Sequence, residues 1–264
     1  MFSFLGLESP EQRKRREENR KAEAVRRIPL AVPWVPDMKW ERQMNLIAAT
    51  WPTWHLFDVK AGNAEHPAWF AKNAANHVLS PDETFMYVHR RLPSGYKLDT
   101  FFGRKRGDVL FDGDLDVAVL YRKERWNDER WDERPWMGIT PMEVMTLRCG
   151  ERFAKGRTVI AGLGLGWQLH QVSHRKQVKE IVLVEMERSL VDWILPVVKP
   201  RLGPVKLEVI VGDAREVVPK LTADAVLVDI DQSYGGNDFP TCPNIKKTWV
   251  WGSQYVEGSN SIFG

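Results

Sequence analysis

The most constraining feature of the sequence is a run of alternating glycines in the segment Thr158-Val-Ile-Ala-Gly-Leu-Gly-Leu-Gly166. Residues 158–161 are β-branched or apolar, which is typical of a short buried strand, and a helical pattern begins directly after the third glycine. The segment therefore predicts a strand, a tight turn and a helix. Because Gly162, Gly164 and Gly166 have no Cβ, the turn can adopt positive φ and a ligand can lie against its backbone. The helix that follows directs unpaired N–H groups and a positive dipole end towards such a ligand.

Three further strands are predicted after the glycines, and each ends in glycine or an acidic residue. These ends are Glu185 after residues 180–184, Gly212-Asp213-Ala214 after residues 206–211, and Asp229-Ile230-Asp231 after residues 225–228. In an open parallel sheet the ligand crevice lies outside the carboxyl ends of the strands, so these residues are expected to converge. An acidic side chain at the tip of the second strand can accept hydrogen bonds from two ribose hydroxyls. The sequence therefore predicts a nucleoside-binding α/β sheet.

These motifs resemble those of the class I S-adenosylmethionine-dependent methyltransferases, and most of all the spermidine-synthase-like branch of that superfamily. The segment Gly138-Ile-Thr-Pro-Met-Glu143 is also similar to the Thr-Pro-x-Glu segment that precedes the domain in related sequences. The resemblance implies a Rossmann-like α/β sheet with S-adenosylmethionine as cofactor, preceded by a small β-containing domain and here also by a charged helical arm.

The resemblance also implies a role for each motif. The glycine loop passes the methionine part of the ligand, the acid after the second strand holds the ribose, and the Gly-Asp-Ala segment faces the adenine. The acid after the fourth strand matches the catalytic carboxylate of aminopropyltransferases, and the loop that follows it borders the reacting group. The implied cofactor-binding residues are Gly162, Leu163, Gly164, Gly166, Glu185, Met186, Asp213, Ala214 and Asp229. The implied catalytic residues are Asp229, Asp231 and Tyr234.

The sequence departs from several related patterns, so alternatives remain open. Aminopropyltransferases carry an aspartate within the glycine loop, where this chain has Leu163 and Leu165. The Asn/Asp-Pro-Pro-aromatic tetrad that grips a flipped base is missing after the fourth strand. A nicotinamide-type loop would require a small residue at Trp167. We expect methyl transfer to an unidentified acceptor; the alternatives are aminopropyl transfer, a nicotinamide or flavin cofactor, and a non-catalytic structural or binding protein.

The domain organisation follows from changes in composition along the chain. Residues 1–27 form a charged arm, predicted to be helical from Ser9, in which Lys and Arg outnumber acids by eight to five. Residues 28–137 are expected to form an α+β substrate or cap region, and residues 138–264 the S-adenosylmethionine-binding domain. Only 33 residues follow Asp231, which is too few for the remaining strands and helices of a seven-stranded sheet. We therefore expect a short or rearranged sheet.

Residues 28–137 change from a helical to an alternating pattern. Residues 38–49 have helical spacing, whereas a period of two begins at Thr84. Two hairpins are predicted, one pairing residues 84–89 with 96–102 and the other pairing residues 109–111 with 115–121. Residues 122–134 alternate in charge, which indicates a solvated helix or loop. Together with Pro135-Trp136-Met137-Gly138 they form either a plain connector or a lid over the ligand.

Composition says less about partners and location. Cys149 and Cys242 lie far apart without a C-x-x-C motif, and no run approaches eighteen apolar residues. We therefore expect a cytoplasmic protein that does not contact membranes. The histidines have no regular spacing, so no metal site is expected. The excess of basic residues in the arm equals the whole formal net charge of +3, which gives a nucleic-acid contact only weak support. The sequence is compatible with a homo-oligomer.

Overall fold

The computed structural model describes residues 9–26, 30–35, 43–102, 105–124, 127–231 and 239–252. The elements of its first half are α1 (Pro10–Arg26), β1 (Gln43–Leu46), α2 (Pro67–Ala71), β2 (His77–Leu79), β3 (Phe85–Leu92), β4 (Leu98–Phe102), β5 (Lys105–Phe111), β6 (Leu115–Glu124), β7 (Asn127–Trp131) and β8 (Met137–Gly138). Those of its second half are α3 (Pro141–Glu151), β9 (Gly156–Ala161), α4 (Trp167–Ser173), β10 (Val178–Glu185), α5 (Arg188–Val198), β11 (Lys206–Val211), α6 (Ala214–Val217), β12 (Ala225–Val228) and β13 (Thr248–Val250). Short 3₁₀ turns lie at Ala48–Thr50, Ala74–Asn76, Lys199–Arg201 and Val218–Lys220.

The second half of the chain forms a parallel sheet in the order β11-β10-β9-β12-β13. The first strand, β9, is central, and the chain moves to its other side at β12. A ligand crevice is expected where the strand order reverses, at the carboxyl ends of β9 and β12. The predicted Rossmann-like α/β fold is confirmed, and within the described ranges its sheet has five strands.

The apolar runs of these strands follow from burial on both faces of the sheet. In β10, Ile181, Val182, Leu183 and Val184 are all fully buried, although their side chains alternate between the two faces. Helix α5 contributes to one cover, with Leu190, Ile194 and Val198 buried at intervals of four residues. The sheet therefore has a closed core, and its strand tips are held at fixed positions.

The first half of the chain contains two smaller sheets, ordered β1-β5-β4 and β2-β3-β6-β7, with β8 also paired to β6. Both predicted hairpins are wrong, because β3 pairs with β6 whereas β4 pairs with β5, and because β5 and β6 lie in different sheets. The turn at Pro93 exists, with Tyr96 N–H donating to the Pro93 carbonyl at 2.9 Å. This turn joins β3 to β4, which lie in different sheets. Residues 85–89 of β3 are all buried, and β3 pairs instead with β6, which shares its core.

Two local predictions outside the hairpins are also wrong. Residues 43–46, expected to be helical, form β1 parallel to β5, while residues 36–42 lie outside the described ranges. Residues 127–131, expected in a solvated helix or loop, form β7 antiparallel to the end of β6. In both cases pairing with a neighbouring strand overrides the local pattern. Ser9 does cap α1, because its Oγ accepts the N–H of Gln12 at 3.1 Å.

Aromatic side chains join the two halves of the molecule. The Trp54 indole N–H donates to the Leu165 carbonyl at 2.7 Å, and its ring meets the edge of Trp167 with centroids 5.5 Å apart. Phe57 stacks on Trp193 of α5 at 5.2 Å. These tryptophans act as apolar anchors between the N-terminal region and the α/β sheet. Among the described helices, none is long and apolar enough to cross a membrane.

The contact between Gly150 and Trp249 is a test of this packing. A Cβ at Gly150 in α3 would lie 2.6 Å from Cδ2 of Trp249, whose ring is 1% exposed and cannot move aside. We expect Gly150→Ala to lower the free energy of unfolding by about 2 kcal/mol, because overpacking of up to about 3 kcal/mol outweighs the roughly 1 kcal/mol that alanine gains in a helix. Urea denaturation measures the change. Gly113→Ala is the control, since its Cβ would lie 3.4 Å from that of Ala48, and equal losses in both variants would contradict the packing argument.

Candidate functional site

A cavity of about 450 Å³ lies at the carboxyl ends of β9, β10 and β12, where the strand order reverses. The predicted site residues that line it are Gly162, Leu163, Gly164, Glu185, Met186, Asp213, Ala214, Asp229 and Asp231. Gly166 is not a lining residue; it caps α4 with φ 76°, and the place of a Cβ there is taken by Val198, with Cγ2 at 2.7 Å. Tyr234 lies outside the described residues. The opposite wall consists of residues 135–140, which we call the strap.

Glu185 is the structural centre of the cavity. Its side chain lies at the tip of β10, and the residue is only 8% exposed. One carboxylate oxygen accepts the N–H of Leu163 in the glycine loop at 2.7 Å, and the other accepts the N–H of Glu187 at 2.9 Å. Each oxygen keeps a further lone pair for a hydrogen bond from a ligand. The backbone therefore fixes the orientation of an acceptor pair at the cavity wall.

The glycine loop is shaped by its protein neighbours. Gly162 has φ 99°, and the position of a Cβ is taken by the Asp229 carbonyl oxygen at the end of β12. Gly164 has φ 49°, and the position of its Cβ is taken by the Met137 thioether, with Cε at 2.7 Å. A side chain at either position would have to displace these neighbours. What glycine provides here is close approach of other parts of the chain.

The strap is a fixed wall of the cavity. Trp136 N–H donates to the Leu120 carbonyl, and Ile139 N–H donates to the Ala118 carbonyl, each at 2.8 Å, so the strap is hydrogen-bonded along β6. Arg122 of β6 lies 4.6 Å from the centroid of the Trp136 ring and forms an ion pair with Glu187 at 2.7 Å. These hydrogen bonds hold the strap in place, so it is neither a loose connector nor a mobile lid. The strap belongs to the N-terminal sheet.

The cavity is strongly acidic. The carboxylates that line it are Glu143, Glu185, Glu187, Asp213, Asp229 and Asp231. Among the described lining residues, Arg215 is the one with a basic side chain, and its guanidinium contacts both oxygens of Asp231, at 3.1 and 3.2 Å. Carboxylates so close together favour a cationic ligand and repel an anionic one.

Two of these acids have raised pKa values. Burial raises the pKa of Asp229 to about 7, and the negative charge of Asp231 adds to the effect. Burial, followed by the charge of Asp229, also raises the pKa of Glu143 well above its usual range. Glu143 is placed there by the first turn of α3, where its N–H donates to the Thr140 hydroxyl at 3.3 Å. A carboxyl group with a pKa near 7, such as that of Asp229, can accept and release a proton under physiological conditions.

Several cavity residues were not among the predicted site residues. Glu143 had a signal, because it ends the Thr-Pro-Met-Glu segment, and Arg215 directly follows the Asp213-Ala214 pair. Gln168 had none: it is 6% exposed, and neither its Oε1 nor its Nε2 has a hydrogen-bond partner within the described ranges. The strap was recognised as a segment, but its place on β6 depends on strand pairing over a long sequence separation. Among the described residues, no group of three or more His, Cys, Asp or Glu side chains is arranged to hold a metal ion.

The role of Glu185 as a backbone acceptor predicts a loss of stability when it is removed. Glu185→Ala leaves the N–H groups of Leu163 and Glu187 without their acceptor, so we expect the free energy of unfolding to fall by about 2 kcal/mol or more. The control is Asp213→Ala, which removes the cap of α6 near the surface and is expected to cost about 1 kcal/mol. Chemical denaturation compares them, and a larger loss for Asp213→Ala would contradict the assignment.

The raised pKa of Asp229 predicts how stability depends on pH. The folded state holds this proton more tightly than the unfolded state, so the contribution is complete below pH 3.8 and is lost as pH rises through about 7. Asp229→Asn removes the effect. Relative to the variant, the wild type should lose about 3 kcal/mol between pH 5 and pH 8, since that range covers about two units below the folded pKa and one unit corresponds to about 1.4 kcal/mol. Urea denaturation at both pH values measures this. The control is Asp192→Asn, at an exposed site on α5, whose free energy of unfolding should change with pH as that of the wild type does. The same change with pH in Asp229→Asn and the wild type would refute the prediction.

Comparison with known solved structures finds distant similarities. No family model matches the chain, and no significant match was found among curated proteins. Similar solved structures include protein arginine methyltransferase 10 of Arabidopsis thaliana (15% identity, 33% of this chain and 26% of that chain, TM-score 0.28), spermidine synthase of Thermotoga maritima (14%, 50% and 44%, 0.31), and Δ1-pyrroline-2-carboxylate reductase of Thermococcus litoralis in complex with NADH and L-proline (10%, 58% and 49%, 0.27). The chain spans between about a quarter and a half of the length of these proteins. Similarities at this level do not identify a ligand.

Proposed function

We propose that the protein binds S-adenosylmethionine in this cavity and transfers its methyl group to an acceptor. The observation that carries the proposal is the buried carboxylate of Glu185, which two backbone N–H groups hold at the tip of the second strand of the sheet. A carboxylate at this position can accept hydrogen bonds from both hydroxyls of a ribose. The lone pairs of Glu185 that the backbone leaves free can therefore accept hydrogen bonds from the ribose of S-adenosylmethionine.

The charge of the cavity supports a sulfonium ligand over a dinucleotide. A nicotinamide or flavin dinucleotide would bring a negatively charged pyrophosphate to the glycine loop. Six carboxyl groups line the described cavity, of which Glu187 is paired with Arg122. Its one basic lining residue, Arg215, is already paired with Asp231. The cavity thus disfavours two phosphates and favours a positively charged sulfur. Apolar contacts come from Trp136, Trp167 and other residues of the wall.

The residues of the chain have three tasks in such a transfer. S-adenosylmethionine supplies an electrophilic methyl carbon on a positively charged sulfur. Glu185 positions the nucleoside, and the strap, fixed on β6, excludes water from one side of the cavity. Asp229, with its raised pKa, accepts the proton that the acceptor loses when it is alkylated. Glu143 lies close enough for its charge state to respond to that of Asp229.

The acidity of the cavity also supports a second candidate function, aminopropyl transfer. Carboxylates stabilise an ammonium group as well as a sulfonium, so an amine acceptor suits both reactions. Aminopropyltransferases carry an aspartate within the glycine loop, whereas this chain has Leu163 and Leu165 between its glycines. This difference weighs against aminopropyl transfer. Decarboxylated S-adenosylmethionine, the donor for aminopropyl transfer, separates the two candidates.

Calorimetric titration tests the proposal. We expect S-adenosylmethionine and S-adenosylhomocysteine to bind with micromolar dissociation constants, and Glu185→Gln to weaken both at least about tenfold, or about 1.4 kcal/mol. NAD should not bind detectably. The control is Glu208→Gln, which changes an exposed glutamate on β11 that pairs with Arg157. Tighter binding of decarboxylated S-adenosylmethionine would favour aminopropyl transfer, and absence of binding by all these compounds would leave a non-catalytic protein with this fold.

A further inference from the structure

Met137 occupies a special position between the strap and the glycine loop. Its thioether fills the place that a side chain at Gly164 would take, with Cε 2.7 Å from the position of a Cβ. Both residues line the cavity. The equivalent place at Gly162 is taken by a backbone carbonyl, and that at Gly166 by Val198, which does not line the cavity. Of the three glycine Cβ positions, the one at Gly164 is therefore the one taken by a side chain that lines the cavity.

The backbone around Met137 is held in place, so the side chain alone sets the available space. Met137 pairs with Leu120 in the register of β6, and the N–H groups of Trp136 before it and Ile139 after it donate hydrogen bonds to that strand. The adjacent Trp136 ring is covered by the Arg122 guanidinium. A methionine side chain is unbranched and adaptable, and its truncation leaves this backbone bonding unchanged. Shortening it therefore enlarges the cavity at one defined point.

We propose that Met137 limits the size of the group that a nucleoside ligand can carry on its 5′ sulfur, and so acts as a specificity-determining residue. The proposal rests on the proposed function, in which Glu185 holds the ribose. Glu185 accepts the N–H of Leu163, the residue directly before Gly164, so a ribose at Glu185 has its 5′ substituent within reach of the loop. A long amino-acid tail competes with the Met137 side chain for space there, whereas a methyl group does not.

Two nucleosides that share adenosine and differ in this substituent give a direct test. Calorimetry measures the dissociation constants of S-adenosylhomocysteine, with its amino-acid tail, and 5′-methylthioadenosine, with a methyl group, for the wild type and Met137→Ala. We expect the variant to bind S-adenosylhomocysteine at least about fivefold more tightly relative to 5′-methylthioadenosine. Met186→Ala is the matched control, because Met186 follows Glu185 at the ribose end and should change both constants by the same factor.

The outcomes separate this proposal from the proposed function. If both nucleosides bind the wild type and their ratio is unchanged or reversed in Met137→Ala, the role of Met137 is refuted and the ligand site stands. If neither nucleoside binds either protein, both proposals fall. If the wild type binds only 5′-methylthioadenosine while Met137→Ala binds both nucleosides, Met137 closes the site to the amino-acid tail and methyl transfer from S-adenosylmethionine is refuted as the function.

A second measurement tests the geometry without any ligand. Gly164→Ala places a methyl group against the Met137 thioether, so it should lower the urea midpoint of the wild type. In the Met137→Ala background the same change should have a smaller effect, since the opposing side chain is gone and only the strain of alanine at φ 49° remains. Equal shifts in the two backgrounds would show that Met137 does not fill this place.

Discussion

The carboxylate of Glu185 is the interaction on which the cavity depends. Its two oxygens join the glycine loop after β9 to the turn after β10, through the N–H groups of Leu163 and Glu187. A single buried side chain thus sets the relative position of two strand ends. Because a buried carboxylate is stable only when its oxygens are hydrogen-bonded, these two backbone donors are a requirement of the fold.

The N-terminal region is coupled to this carboxylate through one neighbouring ion pair. Glu187, whose N–H holds Glu185, extends its own carboxylate to Arg122 on β6, and the Arg122 guanidinium covers Trp136 in the strap. Trp54 makes a separate connection by donating to the carbonyl of Leu165 in the glycine loop. The N-terminal region therefore supplies one wall of the cavity through the strap and supports the glycine loop through Trp54. A site formed between two such units excludes water more effectively than the edge of one sheet.

The order of strands along the chain was sufficient to predict which strand ends meet at the cavity. Strands ending in Glu185, Asp213 and Asp229 converge because parallel strands with right-handed connections place their carboxyl ends together, and this follows from a single sequence. The partners of these residues could not be predicted in the same way. Met137 meets Gly164 only because β8 pairs with β6, and that pairing is decided by a shared core rather than by any turn signal. The incorrect hairpins have the same cause, since periodicity identifies a strand and does not name its partner.

The acidity of the cavity links stability to ligand charge. Asp229 and Glu143 have raised pKa values because the folded chain buries their carboxyl groups near other negative charges, which disfavours their ionised forms. Such an arrangement lowers stability at neutral pH, so it is more typical of functional sites than of structural cores. A cation in the cavity reverses the balance, because it favours the ionised carboxylates and releases their protons. Burial of acids that destabilises the unliganded protein is therefore the same feature that makes binding of a positively charged ligand favourable.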